Sequence, residues 1–277
     1  MADLQVLRKR LASIESTGSM CQAMKTVASA KYSKLSRQVK QLSEYSEGCR
    51  EVLRLIPGSA LKREAEPGER AEDLYLVLSG DKGFCGGFNS ELIKFALREL
   101  PEEKRLIAVC GKKGQKLLSD RGIEFTPLDL PDSPAHTDAQ RLFDFLKDAY
   151  VTGRADKVYI IYQKFNNMLS QVPTKLQLLP FSGGDTGDEA SMLFLPSREA
   201  FGAECAEECL VSELYGIILS HCCAAQAATV MSMKSACDNA KKSADALQLQ
   251  INRMRQAQVT NSVIETSAGM AAQYSEM

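Results

Sequence analysis

The chain has 277 residues, of which 44% are hydrophobic and 25% charged, with a formal net charge of −1 at pH 7. This composition is typical of a soluble globular protein. It contains no unbroken apolar run of the length that spans a bilayer, and its N-terminus shows no apolar signal core, so we predict a protein that is not exported. Nine scattered cysteines indicate a reducing compartment.

The first predicted element is a very long helix over residues 1–57. Apolar residues recur at alternating steps of three and four, and only Gly18, Lys25 and Ser46 interrupt the stripe. A period of 3.5 residues places the stripe on one side of a helix and requires a partner helix, wound left-handed. No proline precedes Pro57, and about 50 residues at 1.5 Å each make a rod of roughly 75–80 Å. Such a rod is predicted to project from any small domain.

This first helix is basic, with nine Lys and Arg against four Asp and Glu in the first fifty residues. The charges lie all round the helix and do not form a block. Since the chain also has no Trp and few residues on which bases could stack, we do not predict nucleic-acid binding.

The middle of the chain, residues 68–200, has the pattern of an α/β domain. Short apolar runs predict strands, and amphipathic segments between them predict helices. The strands are predicted at residues 73–79, 105–111, 124–126, 158–162 and 171–179, and the helices near 92–97, 115–120 and 138–150. This alternation predicts a Rossmann-like, mostly parallel sheet covered on both faces, with the last two strands antiparallel.

A second long helix is predicted over residues 205–275, because no proline follows Pro196 and strong helix formers dominate. Its apolar spacing is patchier, with a break at Ser235 and Asp238, and many of its stripe positions are alanine. Small side chains allow close approach of two backbones but bury little area. We therefore predict an antiparallel coiled coil with residues 1–57, held in part by an outer partner.

The glycine-rich segment 80–87 follows a predicted strand and precedes a predicted helix, as phosphate-binding loops do. It has neither the GxGxxG nor the GxxxxGK[ST] order, so a flexible turn is favoured over a nucleotide site. Cys85 within it is a candidate nucleophile, but only His136 and His221 are available as a base. A buried or hinge cysteine is the favoured interpretation.

A zinc site is a further alternative. Cys205 and Cys209 lie four residues apart, with His221, Cys222 and Cys223 downstream. Structural zinc sites more often use CxxC pairs on turns, so helical packing explains these thiols more simply. No paired carboxylates suggest acid–base catalysis. The residues alone indicate a non-catalytic mechanical or scaffolding protein.

Several collinear segments carry a family resemblance. They are residues 8–17, 23–24 and 27–31 near the N-terminus, 79–89, 164–165, 168–174 and 178–180 in the middle, and 233–239, 252–257 and 259–260 near the C-terminus. In these segments the chain resembles, from end to end, the gamma subunit of the F-type ATP synthase, the central rotor shaft. With neither a transit peptide nor the dithiol insert of the chloroplast type, it is similar to a bacterial copy.

The resemblance implies a non-catalytic subunit without cofactor or metal. Its coiled coil is expected to insert into a hexamer of three alpha and three beta subunits, and its α/β domain to bind the epsilon subunit and the ring of c subunits. Turning with the ion-driven ring, it transmits torque that couples ion translocation to ATP synthesis or hydrolysis. Membrane association is expected through the ring only, at the cytoplasmic face of a bacterial plasma membrane.

The resemblance also assigns contact residues. Arg255, Gln256 and Thr260 match positions at which the family's shaft engages loops of the catalytic subunits, and Met24 matches a position facing the beta-subunit lever. The basic residues expected to face acidic stator loops are Arg8, Lys9, Arg10, Lys31 and Lys34. The residues expected near epsilon and the c ring are Cys85, Gly86 and Gly87.

The chain departs from the family pattern mainly on the shaft. Positions with unusual residues are Ser19, Gln22, Lys25, Ala225, Thr229 and Ser262. Gly18 lies mid-helix, at a cost of about 1 kcal/mol relative to Ala. These departures bear on coupling efficiency and leave a divergent paralogue as one alternative. A coiled-coil adaptor with a ligand-binding domain and a small-molecule enzyme using Cys85 are the others.

Overall fold

The computed structural model describes residues 2–55, 61, 63, 72–101, 105–181 and 198–275. Two long helices, α1 (Ala2–Leu55) and α5 (Arg198–Ser275), flank an α/β domain. The elements between them are β1 (Glu72–Leu78), α2 (Phe88–Glu99), β2 (Arg105–Cys110), α3 (Lys112–Ser119), β3 (Thr126–Leu128), α4 (His136–Val151), β4 (Ala155–Phe165) and β5 (Gln171–Leu179). The predicted limits at residues 57 and 68 lie outside the described residues, and the side chain at residue 200 is not described.

The five strands form one sheet in the order β3-β2-β1-β4-β5. The pairs β1–β2, β1–β4 and β2–β3 are parallel, and β4–β5 is antiparallel. The predicted mostly parallel sheet with an antiparallel last strand is therefore confirmed. β3 lies two residues later than predicted, and β4 is longer than its apolar run.

Both faces of the sheet are covered, as the alternation of strands and helices predicts. Along β1, Leu74, Leu76 and Leu78 belong to a core shared with α1, α4 and α5. The intervening Tyr75 and Val77 point to the other face and join a core with α2 and α3. This alternation follows from the two-residue period of a strand.

The chain divides into two compact units. The first comprises Met1–Val27 with Ser232–Met277, and the second comprises Ala28–Met231. Both α1 and α5 contribute to both units. Our predicted division into three domains was based on secondary structure, whereas the two units are defined by contacts. The domains at residues 1–57, 68–200 and 205–275 therefore remain a prediction.

In the first unit, α1 and α5 pair antiparallel through a narrow seam. A Cβ placed on Gly18 would lie 3.3 Å from the Cβ of Ala240. The thiol of Cys237 lies 3.8 Å from both the carbonyl oxygen of Gly18 and Oε1 of Gln22. Gly18, an apparent defect in the helix, thus allows the two backbones to approach closely.

The predicted stripe of α1 is confirmed position by position. Each of its described members is buried or half-buried, including the polar Lys25 and Ser46. On α5, the seam of the first unit runs through Met233, Cys237, Ala240, Ala244, Leu247, Ile251 and Met254. These positions keep the steps of three and four without interruption, whereas Ser235 and Asp238 are exposed. The predicted break of the stripe counted from Leu210 is therefore confirmed, and the predicted resumption at Leu247, Ile251 and Met254 lies on this seam.

In the second unit the same two helices also run antiparallel. A Cβ on Gly216 would meet Ser46 Oγ at 3.4 Å and Leu42 at 3.6 Å. One step further along α1, Arg50 forms an ion pair with Glu213 at 3.4 Å. The predicted antiparallel pairing is present in each unit.

By length and composition alone, the Cys205–Ala268 stretch of α5 is long and apolar enough to cross a membrane, since its most apolar window of 18 residues has a mean hydropathy of 1.4. Half of its most apolar window is buried inside the protein, and Leu214 and Ile218 of this helix belong to the main core. A core helix has the same composition as a membrane helix, so the hydropathy is weak support for a membrane span.

Candidate functional site

The C-terminal part of α5 extends beyond its partner helix. Continuing the register of Gly18 with Ala240 places Leu4 opposite Met254, so α5 beyond Met254 extends past the start of α1. All residues from 255 to 268 are exposed. This stretch includes three predicted contact residues, of which Thr260 donates a hydrogen bond to the carbonyl oxygen of Gln256 at 3.0 Å. Together with Arg255, these side chains face outward at a helix tip.

The same tip exposes apolar side chains. Val259 is 59% exposed, and Val263 and Ile264 are each 60% exposed. Burying one such side chain completely stabilises by about 1.5–3 kcal/mol. An apolar, unpaired helix end of this kind is typical of a segment that another protein surrounds.

A second exposed apolar stripe lies on α1 in the first unit. Val6, Met20 and Val27 are 62%, 62% and 59% exposed and are separated by multiples of seven residues. Because seven residues make two helical turns, the three side chains share one face, away from the seam. Met24, a predicted contact residue, is half-buried beside this face.

The predicted basic residues divide into two groups. Arg8, Lys9, Arg10 and Lys34 are exposed and available to a partner. Lys31 is instead held within the second unit, where its Nζ lies 2.9 Å from Asp132 Oδ2.

Asp132 binds two lysines with one oxygen. Lys82 of the glycine-rich segment approaches the same Oδ2 at 2.6 Å. The hydrogen bonds from Lys82 and then Lys31 hold the pKa of this carboxyl below its usual range. Asp132 thereby links α1 to the glycine-rich loop. It was missed by the sequence reading, because nothing in its local sequence signals either partner.

Ser79 and the first residues of the glycine-rich segment cap the N-terminus of α3. The first three N–H groups of α3 are all taken: Lys112 N donates to Asp81 Oδ1 at 3.0 Å, Lys113 N to Gly80 O at 3.1 Å and Gly114 N to Ser79 Oγ at 2.9 Å. An anion would need these same donors. The start of α3 therefore has no free N–H group of its first three residues for an anion, and the caps explain why α3 begins three residues before its predicted start.

The loop turns its cysteine inward. Cys85 is 7% exposed, and Asn89 Nδ2 lies 3.3 Å from its sulfur. Burial raises the pKa of the Cys85 thiol, which disfavours the thiolate that a nucleophile needs. Phe84 adopts a positive φ of 67° and is 61% exposed. The favoured interpretation of a buried cysteine agrees with this geometry.

Gly86 and Gly87, the remaining predicted residues of this loop, are exposed. Gly86 has a φ of 60°. A Cβ on Gly87 would lie 2.9 Å from Glu91 Oε1, so the start of α2 carries an acidic side chain at close range. That charge is a further argument against an anion site here.

In the described part of the chain, neither histidine forms a hydrogen bond with Cys85, whose sulfur accepts one from Asn89 Nδ2. His221 is fully buried, its Nδ1 accepts a hydrogen bond from Gln163 N at 3.2 Å, and burial lowers its pKa to about 3. His136 lies 3.7 Å from Glu208. Within the described ranges, no group of three His, Cys, Asp or Glu side chains is arranged to hold a metal ion. The described cysteines and His221 of the zinc alternative thus do not form such a group.

A family model described as ATP synthase matches residues 3–273. An ATP synthase gamma chain from Desulforamulus reducens is 30% identical over 281 residues, covering 98% of this chain and 99% of the relative. The ATP synthase gamma chain of Staphylococcus haemolyticus is also 30% identical, over 98% and 99% of the two chains.

Solved structures share the fold. A chain of the Euglena gracilis mitochondrial ATP synthase, solved as OSCP, F1 and c-ring in rotational state 3, gives a TM-score of 0.72 at 15% identity, covering 99% of this chain and 95% of the other. A chain of the rotor of the same enzyme in rotational state 1 gives 0.64 at 16% identity, over 93% and 99%. At these identities the likeness concerns the fold alone.

Proposed function

Because the chain belongs to the ATP synthase gamma chain family, we propose that it is the central-stalk rotor subunit of an F-type ATP synthase. It is not catalytic by itself. It transmits torque between the ion-driven c ring and the hexamer of three alpha and three beta subunits, and so couples ion translocation to ATP synthesis or hydrolysis. It is peripheral, attached to the cytoplasmic face of a bacterial plasma membrane through the ring only.

The observation that carries the proposal is the exposed apolar tip of α5. Val259, Val263 and Ile264 are each at least 59% exposed on a helix that has passed the end of its partner. A sleeve of alpha and beta subunits would cover them, and it would also cover the α1 stripe of Val6 and Met20. Covering five such side chains would gain several kcal/mol.

Torque transmission follows from unequal contacts round the shaft. Rotation presents a different face to each catalytic subunit, and each angle stabilises a different conformation of that subunit. We assign the contacts at the tip to Arg255, Gln256 and Thr260, and the contact with the beta-subunit lever to Met24. Acidic stator loops would face the exposed basic residues Arg8, Lys9, Arg10 and Lys34. The ammonium group of Lys31 already forms an ion pair with Asp132, so Lys31 would contact a stator loop while keeping that ion pair.

The glycine-rich loop is our proposed contact with epsilon and the c ring. Since Cys85 is buried, the groups that can meet a partner are the Phe84 ring, the Lys82 ammonium and the exposed backbone of Gly86 and Gly87. Cys85 then acts by packing the loop onto Phe88 and α5.

The test is to co-express this chain with the alpha and beta subunits of the same genome, size the product and assay ATP hydrolysis. Arg255→Ala with Gln256→Ala is the test variant. Arg121→Ala, on an exposed side chain at the end of α3, is the matched control. We expect a complex of three alpha, three beta and one copy of this chain, whose ATPase falls at least tenfold in the double variant and is unchanged in the control.

Two outcomes would contradict parts of the proposal. A complex whose ATPase is equal in all variants keeps the rotor but rejects the tip residues as its contacts. A chain that remains alone in solution beside a formed hexamer rejects the rotor assignment and favours the paralogue or adaptor.

A further inference from the structure

Two cysteines face each other across the seam of the first unit. Gly18 lies opposite Ala240. Moving three residues along α1 and three residues back along α5 places Cys21 opposite Cys237, since the helices run antiparallel. Both thiols lie on the seam stripe, and both are half-buried.

In the layer next to this pair the backbones are close enough for a covalent link. A disulfide needs a Cβ···Cβ separation of about 3.5–4.5 Å. One layer away, a Cβ on Gly18 would lie 3.3 Å from that of Ala240. The sulfur of Cys237 already lies 3.8 Å from the Gly18 carbonyl oxygen and 3.8 Å from Gln22 Oε1. Cys237 therefore points across the seam at the turn of α1 that carries Cys21.

We propose that Cys21 and Cys237 form a redox-sensitive dithiol, which a low-molecular-weight disulfide oxidises to a cross-link between α1 and α5. The inference concerns the chain itself and does not rest on its assembly with other subunits. The cross-link holds the register of the seam beside the layer where the small residues Gly18 and Ala240 face each other.

The chemistry balances through thiol–disulfide exchange. The thiolate of one cysteine attacks a disulfide R–S–S–R, forms a mixed disulfide and releases one R–SH. The second cysteine attacks the protein sulfur of that mixed disulfide and releases the second R–SH. Two electrons pass from the cysteine pair to the reagent, and the two thiol protons end on the two released thiols. A dithiol reductant reverses both steps.

The second unit contains a natural control pair. Cys49 of α1 and Cys209 of α5 are buried, at 6% and 7% exposure. Burial, with the neighbouring Cys49 thiol, raises the pKa of Cys209 to about 12. A buried thiol kept protonated reacts slowly. Both pairs thus lie between the same two helices, but a reagent in solvent reaches the half-buried Cys21 and Cys237 more easily than the buried Cys49 and Cys209.

The test uses the full-length chain with oxidised glutathione as the probe. After a timed reaction, remaining thiols are alkylated and the chain is mapped by mass spectrometry without reduction. We expect a peptide that joins Cys21 to Cys237, formed at least tenfold faster than any link of Cys49 to Cys209. Reduction should remove it, and the linked chain should have a higher thermal midpoint. Cys21→Ser and Cys237→Ser should each abolish the link and the shift, and circular dichroism checks that both variants fold.

Three results would overturn the inference. In one, Cys21 and Cys237 stay fully alkylated while free cysteine in the same tube is oxidised. In another, each carries glutathione without a cross-link, which would show that the sulfurs cannot meet. In the third, Cys21 links only to a second chain, seen as a dimer on a non-reducing gel.

Discussion

Substitution of Gly18 tests how closely α1 and α5 pack, and Gly48 in the same helix supplies the control. Gly18 and Gly48 both lie inside α1. A Cβ at Gly18 would lie 3.3 Å from the Cβ of Ala240, whereas a Cβ at Gly48 would meet nothing within 4 Å. The same substitution at the two positions therefore changes the same helix and differs only in the contact across the seam.

The magnitudes follow from two opposing effects. Replacing a mid-helix glycine by alanine stabilises by about 1 kcal/mol through helix propensity. At Gly48 nothing opposes that gain, so we expect Gly48→Ala to stabilise by about 1 kcal/mol. At Gly18 the tight contact cancels most of it, so Gly18→Ala should be close to neutral. Gly18→Leu overpacks the seam, at a cost of about 1–3 kcal/mol.

Hydrogen exchange read peptide by peptide is the assay, because it reports the free energy of local opening separately along α1. Exchange round Gly18 should quicken in Gly18→Leu and stay near wild type in Gly18→Ala. Ala240→Gly in the Gly18→Leu background should restore part of the loss, which a double-mutant cycle would measure as coupling. Equal stabilisation by alanine at Gly18 and Gly48, or no coupling with Ala240, would refute the close seam.

Three further outcomes are expected. Gly111→Ala should lower the free energy of unfolding by several kcal/mol, because φ is +90° and the new Cβ would lie 2.6 Å from the Ser79 carbonyl carbon. Gly122→Ala, at a φ of +68° but with open space round the new Cβ, should lower it by only about 1–2 kcal/mol. Urea unfolding measures both changes. The free energy of unfolding should fall below pH 6.5 by about 1.4 kcal/mol per unit until the His221 pKa of about 3. The unfolded chain binds that proton and the folded chain does not, and His221→Phe should flatten this slope. Asp132→Asn should change stability by less than about 1 kcal/mol but speed exchange in the glycine-rich loop, an effect that would be lost in high salt if the ion pairs matter.

Much of the fold could be predicted because its causes are local. The α1 stripe keeps a period of 3.5 residues for over fifty residues. A pattern sustained over that length indicates a helix paired with another helix. The buried runs of β1, β2 and β4 are bounded by glycine or polar residues, and the helices between them fix the parallel order.

The predictions that went wrong depended on information outside the local pattern. The stripe counted from Leu210 is not the seam with α1: in the second unit Gly216 faces Leu42 and Ser46 of α1, while Leu214 belongs to the main core. A count of apolar residues cannot tell which of two buried stripes faces α1. Likewise α3 begins at Lys112 because Ser79, Gly80 and Asp81, thirty residues earlier, supply its caps. The link of Asp132 to Lys31 and Lys82 is of the same kind. No spacing rule connects residues that meet only after folding.

The two stripes of α1 together explain why the chain needs other proteins. The seam stripe packs against α5, and each of its described members is buried or half-buried. Val6, Met20 and Val27 lie on another face of α1 and remain mostly exposed. A coiled coil made for water alone has polar residues there. Because α5 can cover only one side of α1, we propose that the second stripe meets a surface of another chain, as the proposed rotor function requires.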